Sequence, residues 1–161
     1  SAIQKLFTVK QRDQTKAIPV LLGDPDDLYR TGEHLSIAAL RLVEVFWPGP
    51  LTIIIKRNPH LPNIISPTDT IGVRMPDHPA ALDLLRQAGP LAVTSANLSG
   101  SPDSCSAQEV GEQLGGMIDL VLDGGRTPGG IPSTVVDCST KECVLLRVGP
   151  ISYNAILDAL K

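Results

Sequence analysis

Apolar residues recur along this chain in short blocks whose spacing alternates between that of a helix and that of a strand. Leu35, Ala38, Ala39, Leu42 and Phe46 lie one helical turn apart and predict a helix over 35–46. That helix must stop at Trp47-Pro48-Gly49-Pro50, because a proline ring removes a backbone donor and blocks the preceding turn. The β-branched block 51–55 then reads as a buried strand, and 18–22, 71–75, 91–94, 120–123, 133–137 and 144–147 read likewise. Ala81, Leu82, Leu84 and Leu85 predict a helix over 78–89, closed by Gly89-Pro90. Ser106, with Glu109 three residues later, predicts a capped helix to Leu114, and 152–160 reads as a last helix. Residues 1–10 fit a helix tail or an edge segment, 58–70 a proline-rich loop and 124–132 a glycine-rich one. Strands alternating with helices predict an α/β fold with a twisted mixed sheet flanked by helices.

Composition narrows this picture. Among 161 residues, 42% are hydrophobic and 19% charged, which excludes disorder and implies a large core. No apolar run approaches the ~20 residues of a membrane span, and no secretory signal opens the chain. With 14 basic and 17 acidic residues the net charge is -3, which argues against a chain-wide basic face for nucleic acid and leaves room for a local basic pocket. The cysteines, Cys105, Cys138 and Cys143, are odd in number and lack C-x-x-C spacing, so neither a disulfide framework nor a zinc ribbon is suggested and a reducing cytoplasm is the simplest setting.

Four segments could carry chemistry. Lys10-Gln11-Arg12, with Lys16 nearby, gathers cations suited to a polyanion, although solvated basic faces are commoner. Thr94-Ser95-Ala96-Asn97-Leu98-Ser99-Gly100 ends a strand in small hydroxyl and amide side chains, where α/β folds place ligands. Ser95 and Asn97 would face one way and hold phosphate or carboxylate oxygens; a turn satisfied by its own backbone is the equal alternative. Arg74 interrupts the apolar strand Ile71-Gly72-Val73, and Arg147 ends Val144-Leu145-Leu146; each must meet a buried carboxylate or point into a ligand cavity. The loop 124–130 lacks P-loop spacing and is expected to be mobile. His34, His60 and His78 show no ligand spacing, so no protein-held metal is expected, and Asp24, Asp26 and Asp27 read as a solvated capping turn.

In order along the chain, Lys10-Gln11-Arg12, Phe46-Trp47-Pro48-Gly49-Pro50-Leu51-Thr52, Val73-Arg74-Met75-Pro76-Asp77-His78, Thr94 to Gly100, Ser133-Thr134-Val135-Val136-Asp137 and Leu146-Arg147-Val148-Gly149 resemble the YrdC-type family, the threonylcarbamoyl-AMP synthases of tRNA modification. The resemblance implies a YrdC-like fold with a concave basic ligand cavity. It also implies a reaction in which L-threonine, bicarbonate and ATP give threonylcarbamoyl-adenylate and pyrophosphate, with Mg2+ carried by the phosphates, toward N6-threonylcarbamoyladenosine in tRNA. On that resemblance Lys10, Arg12, Ser95 and Asn97 are the catalytic set and grip the nucleotide phosphates. Lys16, Thr70 and Arg147 are then also ATP-facing, and Arg74, Val93 and Ser133 take L-threonine. Implied partners are tRNA or double-stranded RNA and the tRNA threonylcarbamoyl-transfer proteins, with no membrane and a cytoplasmic location.

The chain also departs from the family pattern. Members carry a P-T-x-T-x-Y-G-L strand and loop before K-x-R, so residues 1–161 are expected to form one YrdC-like domain lacking that first strand. Leu21 stands where many members have histidine, and Pro102-Asp103-Ser104 replaces an S-P-T element, which would make Asp103 a poor phosphate neighbour. Two other functions fit the same fold: an RNA-binding module without synthase activity, and a carbamoyl-transfer relative of hydrogenase maturation.

Overall fold

A computed structural model describes residues 1–127 and 131–161, so part of the glycine-rich loop 124–132 lies outside the described residues. The elements are α1 (Ala2–Val9), β1 (Val20–Leu21), α2 (Leu28–Thr31), β2 (Gly32–Glu33), α3 (Ile37–Phe46), β3 (Leu51–Arg57), β4 (Thr70–Arg74), α4 (Pro79–Ala88), β5 (Leu91–Ala92), α5 (Ala107–Leu114), β6 (Thr134–Asp137), β7 (Val144–Arg147) and α6 (Tyr153–Ala159). They group into two compact units, one of residues 1–16 and 94–130, the other of 17–93 and 131–161.

The larger unit holds the sheet, a twisted mixed one in the order β5-β1-β4-β3-β6-β7, with β2 also pairing β3. β3 is its centre, antiparallel to β4 and parallel to β6. Strand alternation sorts the side chains. Leu51, Ile53, Ile55, Ile71, Val73 and Val136 are buried on one face, whereas Thr52, Ile54, Thr70, Gly72, Arg74, Val135 and Asp137 are half-buried on the other. α3 packs on β3 and on α6. Its first turn is capped by Ser36, whose Oγ accepts from Ala39 N at 3.1 Å. The helix ends where the motif demands. The Trp47-Pro48 peptide is cis, and buried Trp47 donates from Nε1 to Leu51 O at 2.8 Å.

The smaller unit contains α1 and α5. Ser106 caps α5, with its Oγ accepting from Glu109 N at 3.2 Å. The predicted return bond is displaced by one residue, because Glu109 Oε2 accepts from Cys105 N at 2.7 Å. The strand predicted over 120–123 does not form. Leu120 and Leu122 are 74% and 70% exposed, and no described strand pairs with them; β propensity cannot supply the missing ladder. No described helix is long and apolar enough to cross a membrane.

Candidate functional site

In the smaller unit, the K-x-R segment begins at the end of α1. Gln11 takes φ 49°, Gln11 N donates to Thr8 O at 3.2 Å and Arg12 N to Phe7 O at 2.9 Å, the paired bonds of a Schellman termination with glutamine in the place glycine usually fills. This left-handed residue turns the chain sharply between Lys10 and Arg12. Lys10 is 3% exposed. Its Nζ donates to Ser95 O, to Asn97 O at 2.6 Å and to Asn97 Oδ1 at 2.9 Å, with Ser95 Oγ at 3.4 Å.

The S-x-N loop is equally tied to itself. Ser95 Oγ donates to Asn97 Oδ1 at 2.6 Å, so the two side chains meet as expected, but through a bend rather than through a continuing strand. Asn97 Nδ2 donates to Ser101 O at 2.7 Å and to Asp103 Oδ1 at 3.2 Å. Desolvation lowers the Lys10 pKa, the nearby Arg12 charge lowers it further, and Asp103 opposes both. Asp103 thus balances a buried cation. Of the two alternatives weighed above, the self-satisfied turn is the one observed, since these side chains bond within the loop and to Lys10. Ser95 remains exposed, and so does Lys16.

In the larger unit, strand register gathers the other candidates on the half-buried face of the sheet. Leu21 pairs with Arg74, Thr52 with Val135 and Val135 with Arg147, and one step beyond the Ile53–Val73 pair places Thr52 opposite Arg74. Residues in one such row project to the same side. Thr70 shares that side with Arg74. Ser133, just before β6, joins it through its Oγ, 2.8 Å from Thr52 Oγ1. Val93 is half-buried and its N–H bonds Pro19 O at 3.0 Å.

The two arginines differ. Arg74 finds no partner for Nε among the described residues, and burial lowers its pKa. Of the alternatives set by its place in an apolar strand, the unpartnered Nε favours an anionic ligand over a buried carboxylate. Arg147 meets no buried carboxylate: it is exposed, donating from Nε to Ser133 O at 2.9 Å and from Nη2 to Ser133 Oγ at 3.1 Å. The end of a two-sided hairpin lets a long side chain reach water while its fork orders Ser133.

Two contributors escape sequence reasoning. Gln113 accepts from Leu98 N at 3.1 Å and donates to Pro102 O at 3.1 Å and Ser104 Oγ at 3.3 Å, pinning the S-x-N loop. Thr134 Oγ1 donates to Ile151 O at 2.9 Å and accepts from Gly149 N at 3.1 Å and Ile151 N at 3.0 Å, holding the R-V-G segment. A Cβ on Gly149 would meet Pro132 O and Thr134 N at 2.4 Å, so only glycine fits this approach.

On this α/β fold the smaller unit carries a cation-centred loop of hydroxyl and amide groups and the larger one a sheet face with a desolvated arginine, both of a chemistry suited to anions. The Sua5/YciO/YrdC family model, described as telomere recombination, matches residues 1–149, and the chain belongs to this family. The threonylcarbamoyl-AMP synthase of Bacillus subtilis (strain 168) is 38% identical over 158 residues, 96% of this chain and 46% of that protein. The threonylcarbamoyl-AMP synthase of Pyrococcus abyssi (strain GE5 / Orsay) is 35% identical over 97% of this chain and 46% of its own length. The solved structure of P. abyssi Sua5 complexed with L-threonine superposes with a TM-score of 0.93 at 34% identity, covering 99% of this chain and 47% of that one. The chain thus spans about half the length of these relatives.

Proposed function

We propose that this chain carries the synthase chemistry of its relatives: it binds ATP, L-threonine and bicarbonate and forms threonylcarbamoyl-adenylate with release of pyrophosphate, in the cytoplasm, for tRNA modification. The observation that carries this reading is the convergence of K-x-R and S-x-N on one buried ammonium, with Lys10 Nζ 2.6 Å from Asn97 O. An ammonium has three donors, and Lys10 already shares them among four acceptors. Its part is therefore to shape the loop and supply a fixed positive field to the nucleotide phosphates. In the smaller unit Arg12, Lys16 and exposed Ser95 supply further charge and donors for the nucleotide; in the larger unit Thr70 and Arg147 are the nucleotide-facing candidates.

Arg74 takes the threonine carboxylate, with Ser133 and Val93 beside the amino acid. A guanidinium desolvated without a partner at Nε gains most from a forked anion. The threonine amine adds to bicarbonate with loss of water, the resulting carbamate oxygen attacks the α-phosphorus, and the P–O bond to pyrophosphate breaks. Catalysis in this scheme is positioning and charge neutralisation, so it asks for no general base among the described side chains. Mg2+ enters as part of the ATP substrate, on its phosphates.

The test is pyrophosphate release from ATP measured with and without L-threonine and bicarbonate. Turnover that needs all three supports the reading, and turnover indifferent to threonine overturns it. Binding of tRNA at low salt with no turnover would favour an RNA-binding module instead. Turnover with carbamoyl phosphate in place of threonine and bicarbonate would favour the carbamoyl-transfer relative.

A further inference from the structure

Cys138 and Cys143 close the loop end of the β6–β7 hairpin. β6 and β7 are antiparallel, with Asp137 paired to Val144, so the next pair in the ladder is Cys138 with Cys143. Cys138 N donates to Ile54 O of β3 at 2.8 Å. The two polar groups of a strand residue point to one side, so Cys138 turns its own toward β3 and away from β7. The cysteines therefore form a non-hydrogen-bonded pair, the closer of the two antiparallel arrangements, with Cα atoms typically about 4.5 Å apart. The side chains meet accordingly, with Sγ of Cys143 3.2 Å from Sγ of Cys138. A Cα separation of about 4.5 Å lies at the short end of the range a disulfide spans.

The two thiols are unequal. Cys138 is 4% exposed, whereas Cys143 is half-buried within reach of solvent. Burial and the neighbouring Cys143 thiol push Cys138 above its ordinary range, so Cys143 is the sulfur that reacts first.

We propose that Cys138 and Cys143 form a reversible disulfide, made by exchange with a low-molecular-mass disulfide, that staples the β6–β7 hairpin. The Cys143 thiolate attacks one sulfur of the small disulfide; a Cys143–S–S–R bond forms, the original S–S bond breaks, and the first small thiolate leaves and takes up the proton. Cys138 then gives up its proton and attacks Cys143 Sγ, expelling the second small thiolate. Two protein thiols are oxidised and one small disulfide is reduced to two thiols. The link lies at the end of the hairpin opposite Ser133 and Arg147, so it holds the strand register in which those two meet without touching either.

The experiment is incubation of the 161-residue chain with excess oxidised glutathione to equilibrium, removal of the reagent, and trypsin digestion without reduction. Cleavage after Lys141 separates peptides 127–141 and 142–147, which hold one cysteine each, while Cys105 falls in 87–126. The expected result is that peptides 127–141 and 142–147 stay joined until reduced, and that in Cys105→Ser the free thiols fall from two to none and the mass by about 2 Da. Cys105→Ser leaves that link intact, and Cys143→Ser abolishes it. Recovery of the two peptides unlinked, a glutathione adduct persisting on Cys143, or linkage through 87–126 overturns the proposal.

Discussion

Lys10 and Asn97 stand 87 residues apart in the chain, yet Lys10 Nζ lies 2.6 Å from Asn97 O and 2.9 Å from its Oδ1. One buried ammonium thus closes the end of a helix onto a loop. Replacing it by methionine keeps the apolar stem and strips the donors from several acceptors. Lys10→Met is expected to lose about 2–4 kcal/mol of stability. On the proposed function it also loses synthase activity by about 10²-fold or more. Urea unfolding and pyrophosphate release on the same sample check both, and an active, fully stable variant would refute the assignment.

Gln11 carries the left-handed turn between the two cations at φ 49°. A side chain in this conformation costs about 1–2 kcal/mol that glycine does not incur. Glycine also gives up more entropy on folding, so Gln11→Gly should stabilise the chain by no more than about 1 kcal/mol. A melt that falls instead would show that the Gln11 side chain holds the turn by a contact of its own.

The central elements were legible because their signals are local. The 3.6-residue spacing that ends at Trp47 predicts α3, and the small polar side chains after β5 predict, as one of two alternatives, a turn satisfied by its own atoms. What was illegible depends on partners distant in sequence. Leu120-Val121-Leu122 has strand composition but, among the described residues, no ladder to join. Gln113 looks like any polar residue in the last turn of a short helix, and only the loop folded against it makes it a clasp. Arg147 and Arg74 look alike in sequence, and register alone separates the exposed fork on Ser133 from the desolvated guanidinium.

Arg74 sets stability against function. Its Nε lies buried without a hydrogen-bond partner among the described residues, and burial already depresses its pKa. A neutral side chain of similar length removes that burden. Arg74→Met is expected to match or exceed the parent melting temperature and to lose threonine-dependent turnover. Thermal melts with threonine titrations check this: the parent should be stabilised by threonine and the variant indifferent to it. Threonine stabilisation surviving in Arg74→Met would remove Arg74 from the carboxylate site.

Glu109 gives the acid limb of the stability profile a specific contributor. The backbone N–H of Cys105 holds its carboxylate below the ordinary range, and Arg126, 3.3 Å away, adds to this. Because the folded value is the lower one, the contribution is fully present above the unfolded pKa of about 4.3 and is lost as pH falls through the folded value. Glu109→Gln cannot titrate, yet its amide oxygen still accepts from Cys105. The gap in stability between parent and variant should therefore shrink as urea melts are moved from about pH 6 toward pH 3. A gap constant across that window would mean that the Glu109 charge contributes nothing.

Thr134 is fully buried, and its single hydroxyl serves Ile151 O, Gly149 N and Ile151 N together. Thr134→Val keeps the shape and strands two buried donors and one acceptor at once, so the cost is the desolvation of several groups rather than one net hydrogen bond. About 2–4 kcal/mol follows, or roughly 5–10 °C in a melt for a chain of this size. Thr134→Ser restores the hydroxyl but leaves a methyl-sized gap, and should recover most of that loss at a residual penalty of about 1 kcal/mol. The order parent, serine, valine is what a hydrogen-bond hub requires. If serine proves as damaging as valine, the methyl group rather than the hydroxyl is what holds the segment after β7 against β6.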